Sequence, residues 1–202
     1  MENATRAEPN TDATRSAEAL AFARRAHAGQ RRKQTGEDFV EHPIAVARLL
    51  GDAGYGGDLV VAAYLHDAVE KGPVGIDEVR SRFGEHVADV VGALTEDHSL
   101  PGYAERKRAL RRQVLAAGED PVLIYAADRV TNLRDWRRAE PGRRPAIAES
   151  LGTTLQERLE LWAEDLQELT RHRAELPFLA EIELDLRELR SQAGAGAGAG
   201  SP

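Results

Sequence analysis

The chain has 202 residues, 42% of them hydrophobic and 30% charged, with a formal net charge of −7. This is the composition of a water-soluble globular domain, and no apolar run reaches the roughly 20 residues that a membrane-spanning helix needs. The absence of cysteine excludes a disulfide framework and thiolate chemistry, and the acidic balance argues against broad nucleic-acid binding, which leaves a basic footprint.

The chain opens on a polar stretch without period, so residues 1–14 read as a disordered leader. It has neither the basic start nor the apolar stretch of a secretory signal, which makes a cytoplasmic address the default expectation. From there Ala, Leu, Arg and Glu dominate, and apolar positions recur three and four apart. Helices are expected over 16–29, 43–53, 57–69, 76–83, 85–95, 103–116, 121–138, 147–172 and 178–191, with no strand. Pro43 and Pro121 suit a first helical turn, and Gly29, Gly84 and Gly118 suit the left-handed residue after a last one. In the last two helices, Leu151, Leu155, Leu159, Trp162, Leu166 and Leu169 trace one apolar stripe, and Leu179, Ile182, Leu186 and Leu189 trace another. Core packing is the first reading of these stripes and a homodimer seam is the alternative. The alternating Ala and Gly of 192–202 have too little side chain to bury, so that segment reads as a low-complexity tail. The organisation expected is therefore a leader, a helical domain over 15–138, covering helices over 139–191, and the tail.

Residues capable of chemistry concentrate in YLHDAVEK, 64–71. His66 and Asp67 are adjacent in an otherwise apolar segment, and Glu70 follows them by four and three, so it faces the same way. Three ionisable groups buried there without partners would cost several kcal/mol or be neutralised, and a metal ion would compensate them. His42, in FVEHP, enters one helix, and Asp128, in LIYAADRVTNLRD, sits on another. Together His42, His66, Asp67 and Asp128 supply two imidazoles and two carboxylates, a set suited to manganese, iron, zinc or magnesium. Singly, each has an ordinary explanation: His42 as a helix-end group, Asp128 as the partner of Arg129 or Arg24. The ordered set carries the metal reading.

The segments AFARRAHAGQRRKQTGEDFVEHPIAVARLL, VAAYLHDAVEKGPVGIDEVRSRFGEHVADVVGALTED and YAADRVTNLRD resemble, in order and spacing, the HD-domain phosphohydrolases. They are most similar to the small, single-domain RelA/SpoT-type alarmone hydrolases. The resemblance implies an all-α HD-domain helical bundle, a divalent metal, usually Mn2+, and removal of the 3′-pyrophosphate of (p)ppGpp, a small-molecule nucleotide partner. It makes His42, His66, Asp67 and Asp128 the metal ligands and Glu70 the first acid of a pair that helps activate or position the attacking water. It places Asn132 beside the nucleotide, and it puts Arg32 and Lys33 on the base and phosphates. A guanidinium such as that of Arg32 can both stack on a base and fork onto phosphate. His27, His86, His98 and His172 read as structural or surface residues.

The family's acid pair is Glu then Asp, whereas this chain has Glu70 then Lys71. Lys71 could point to solvent, bind substrate phosphate, or abolish the reaction while leaving a binding site. Two other readings thus stand beside the alarmone hydrolase: a phosphatase acting on another nucleotide, and a catalytically silent alarmone-binding protein. Asp135 and Trp136, after Asn132, also depart from the pattern and are expected to reshape the base pocket.

Overall fold

The structure, a computed structural model, describes residues 11–198. The helices are α1 (Thr11–Ala26), α2 (Glu41–Asp52), α3 (Gly57–Leu65), α4 (Ala68–Lys71), α5 (Ile76–Phe83), α6 (Glu85–Ala93), α7 (Tyr103–Ala117), α8 (Glu119–Arg138), α9 (Arg144–Ser150), α10 (Leu155–His172) and α11 (Leu179–Gly198). Among the described residues the sole β feature is an isolated bridge between Arg31 and Asp38. The fold is all-α, as expected.

At the centre stands α8, buried on nearly every side from Pro121 to Leu133. It packs against α2, α7 and α11, while α3 fills the space between α1, α2 and α6. Because α8 has almost no solvent face in this stretch, its polar residues must find partners, and this requirement builds the site described below. Helix α11 is tied to α8 by Asp185, which is buried beneath Arg137 and lies 3.3 Å from Arg134 Nε.

Both C-terminal stripes face the chain's own core: Leu159, Trp162, Leu169, Ile182, Leu186 and Leu189 are buried, and Trp162 meets Trp136 edge-on at 5.9 Å. These residues serve packing, while Leu151, Leu155, Leu166 and Leu179 of the same stripes are only partly buried. Trp136 is fully buried in the same cluster and does not itself line the cavity described below.

Four boundaries differ from the periodic pattern. The expected helix over 57–69 is interrupted at His66 and Asp67, between α3 and α4. The expected helix over 147–172 is broken where Gly152 takes φ +74° and Thr154 caps α10 by accepting Glu157 N–H at 3.1 Å. Helix α1 starts at Thr11, inside the expected leader, and α11 runs through the start of the expected tail to Gly198. Residues 1–10 of the leader and 199–202 of the tail lie outside the described residues.

Candidate metal centre

Four side chains from three places converge. His42 comes from the first turn of α2, His66 and Asp67 from the break between α3 and α4, and Asp128 from mid-α8. His42 Nε2 lies 2.8 Å from Asp128 Oδ1 and 3.7 Å from Asp67 Oδ2. His66 Nε2 lies 3.6 Å from Asp67 Oδ2 and 3.7 Å from Asp128 Oδ1. One ligand atom each from His42, His66 and Asp128 falls within 4.8 Å of the others, and Asp67 borders both imidazoles just outside that tightest set.

The hydrogen bonds on the far sides of the rings decide which nitrogens face inward. His66 Nδ1 lies 2.8 Å from the Ala63 carbonyl, which only accepts, so Nδ1 carries the proton and Nε2 presents a lone pair. Buried Nε2 then has no hydrogen-bond partner. Thr131 donates its one hydroxyl proton to the Asp128 carbonyl at 2.9 Å, so toward His42 Nδ1, at 3.3 Å, it accepts. Both Nε2 atoms are thus acceptors aimed at carboxylate oxygens, which are acceptors too. Such a cluster calls for a proton or a cation between its members, and two imidazoles with two carboxylates fit a divalent metal of hard or borderline character.

The electrostatics agree. Burial holds His42 below the usual imidazole range, helped by the Arg32 charge, and so keeps it neutral as a ligand must be. For His66, burial pulls downward but the Asp67 and Asp128 carboxylates outweigh it and raise the group to about 9. A proton there takes the place that a cation would fill. Asp128 is desolvated, yet Arg129 and the two imidazoles hold it well below the usual carboxylate range.

The cluster lies in the wall of a cavity of about 360 Å³. Arg32 crosses another wall, packed over the Phe39 ring at 5.5 Å and forked onto Asp135 Oδ2 at 3.0 and 2.6 Å. Asn132 is a link: its Oδ1 accepts from Arg32 Nη2 at 3.0 Å and its Nδ2 donates to Asp128 Oδ1 at 2.7 Å. Lys33, more exposed, donates to the Ser150 carbonyl at 2.9 Å. Glu70 is ion-paired through Oε1 with Lys71, and its Oε2 accepts from Glu96 N at 3.3 Å. Lys71, whose side chain is 40% exposed, lies in the cavity wall and does not simply point away into solvent.

A family model described as HD domain matches residues 19–162. The chain belongs to the HD-domain family. This HD domain is 40% identical over 134 residues to the human guanosine-3′,5′-bis(diphosphate) 3′-pyrophosphohydrolase MESH1, a match covering 65% of the chain and 74% of the human protein. It is 33% identical over 150 residues to a guanosine-3′,5′-bis(diphosphate) 3′-pyrophosphohydrolase of Aquifex aeolicus, covering 72% of the chain but 21% of that longer protein. Among solved structures it resembles a metazoan ortholog of SpoT described as hydrolysing ppGpp, with TM-score 0.69, 28% identity, and coverage of 95% of the chain and 99% of the ortholog. A Listeria monocytogenes EGD-e protein superposes with TM-score 0.64 at 26% identity, covering 77% of the chain and 97% of that protein.

The four ligand candidates named from the sequence do meet in space, but their support was not evident there. Thr131, which sets the His42 tautomer, was legible only as the residue three after Asp128. Arg129 is buried, with Nη2 3.2 Å from Asp128 Oδ2 and Nε 3.4 Å from Asp165 Oδ2. Asp165 also accepts from Arg111 at 2.7 Å and from Tyr125 Oη at 2.9 Å, so α10 reaches the candidate metal centre through one carboxylate. His98, expected to be merely a surface group, lines the cavity 3.9 Å from Glu70 Oε1. The cavity also takes in Glu96, Lys107 and Arg158, which carry no motif.

Proposed function

We propose that this HD domain is a metal-dependent phosphohydrolase that removes the 3′-diphosphate of ppGpp, with Mn2+ as its ion. The observation that carries the reading is the convergence of four acceptor groups on a cation-lined cavity in a chain that resembles named ppGpp hydrolases. A divalent cation held by His42, His66, Asp67 and Asp128 would, when bound, supply Lewis-acid polarisation of a phosphoryl oxygen and lower the pKa of water. Glu70 takes the proton of the attacking water, its carboxylate held in place by the ion pair with Lys71. Asn132, fixed between Asp128 and Arg32, orients the ribose. Arg32, immobilised over Phe39, meets the base, and Lys33 and Lys71 meet phosphate oxygens. A cytoplasmic role in the stringent response follows from that substrate.

The Lys71–Glu70 pair favours one competing reading, an alarmone-binding protein without turnover, because the ammonium already engages the carboxylate that would receive the water's proton. Purified protein with Mn2+ and ppGpp, assayed separately for pyrophosphate and phosphate beside Glu70→Ala and Lys71→Asp, decides between them. The hydrolase reading expects pyrophosphate from the wild type and a loss of roughly 100-fold or more in Glu70→Ala. Phosphate release without pyrophosphate identifies a phosphatase. Tight ppGpp binding with no turnover in either the wild type or Lys71→Asp identifies the silent binder.

A further inference from the structure

The cations around the cavity are almost all matched by carboxylates of the chain itself. Arg32 lies on Asp135, Lys71 on Glu70, Lys107 on Glu96, and Arg129 on Asp128. Lys33 has no carboxylate, but its ammonium is exposed and bonded to a carbonyl. Arg158 is different. It enters from α10, is 8% exposed, and lines the cavity. Among the described residues its side chain makes no hydrogen bond or ion pair, and its Nε is buried without a partner.

Three rings hold it in place. The guanidinium carbon is 4.7 Å from the centre of the Trp136 ring, 5.0 Å from that of Trp162 and 5.1 Å from that of Tyr103. Ring faces attract the charge, but they offer no lone pairs to the five N–H donors of a guanidinium. A buried cation left in that condition is costly, and the usual explanation is an acceptor supplied from outside the chain. Burial, helped by the Arg129 and Arg32 charges, weakens its hold on its proton more than Tyr103 and Glu96 strengthen it. Among the described residues Arg158 forms no ion pair with Asp67 or Asp128, and Asp128 pairs with Arg129 instead.

We propose that Arg158 is the seat of the substrate's second phosphate-bearing end: the 5′-diphosphate of a nucleotide whose 3′-diphosphate lies at the metal centre. The inference rests on the ppGpp reading above and deepens it. Arg158 thereby sets specificity for nucleotides phosphorylated at both ends, and the aromatic cage pre-orients its planar fork for bidentate contact with phosphate oxygens.

The test compares ppGpp with guanosine 3′-diphosphate, which lacks the 5′-phosphates, as substrates of the wild type, Arg158→Met and Arg158→Lys. In Arg158→Met, KM for ppGpp should rise about 10- to 100-fold with kcat little changed, the size expected for charge-assisted hydrogen bonds lost on binding. KM for guanosine 3′-diphosphate should move by less than about threefold on the same grounds. Arg158→Lys, which keeps the charge and loses the fork, should fall between, and it supplies the answer if the methionine variant does not fold. An equal change on both substrates, or no change on either, overturns the assignment, as does a lower melting temperature with unaltered KM, the pattern of a purely structural residue. If the wild type hydrolyses neither compound, the ppGpp reading fails by itself. GDP binding by calorimetry then judges Arg158: weaker binding in Arg158→Met upholds the phosphate seat, and equal binding removes it.

Discussion

At the scale of single residues, the candidate metal centre depends on groups outside the four proposed ligands. Thr131 fixes the tautomer of His42 because its only proton goes to the Asp128 carbonyl. Thr131→Val keeps the shape and removes the acceptor, so Mn2+ affinity measured by titration should fall roughly 10- to 100-fold with little change in fold. His66 predicts a pH dependence. Burial opposes its charge, but Asp67 and Asp128 raise it from an ordinary 6.5 to about 9 in the folded, metal-free protein. A raised folded-state pKa contributes stability that is complete below pH 6.5 and lost as pH climbs through 9. The melting temperature of metal-free protein should therefore decline across that window. With saturating Mn2+ the decline from this group should disappear, because the ion replaces the proton.

Between elements, the position of α4 relative to α1 is set by a close approach. A Cβ on Gly72 would stand 2.6 Å from the Ala68 carbonyl oxygen and 3.1 Å from that of Ala26, both of them backbone atoms that cannot swing aside. Gly72→Ala should cost about 1–3 kcal/mol by overpacking, read as a lower denaturant midpoint. Because α4 carries Glu70 and follows directly on Asp67, the same variant should also weaken Mn2+ binding. Glycines that only terminate helices behave differently: at Gly84, with φ +96°, the space that a Cβ would occupy is open, and the constraint is conformational.

For the whole molecule, the C-terminal helices belong to both the core and the site. Asp165 of α10 receives Tyr125 and Arg111 and pairs with Arg129, while Trp162 covers Trp136. A chain shortened to end at Arg138 should lose cooperative unfolding, since it exposes Trp136 and Leu133 and leaves Arg129 buried against fewer acceptors. Its circular dichroism melt, compared with that of the full chain, checks this. The family match points the same way, running beyond Arg138 to residue 162.

Much of this was legible in the residues themselves. Helical periodicity determined the fold class, and the spacing of His42, His66, Asp67 and Asp128 determined the ligand candidates, because a few acids and imidazoles stand out against an apolar helical background. Periodicity could not locate the breaks at His66–Asp67 and Gly152, where the apolar pattern continues while the backbone turns. Nor could it choose between core and dimer seam for the leucine stripes, which look alike from one chain. Tertiary structure alone decided that Lys71 pairs with Glu70, that Thr131 sets an imidazole proton, and that Arg158 lines the cavity with its Nε unpartnered. Such facts depend on distances between side chains, most of them far apart in the chain, and those distances arise only when packing brings α2, α8 and α10 together.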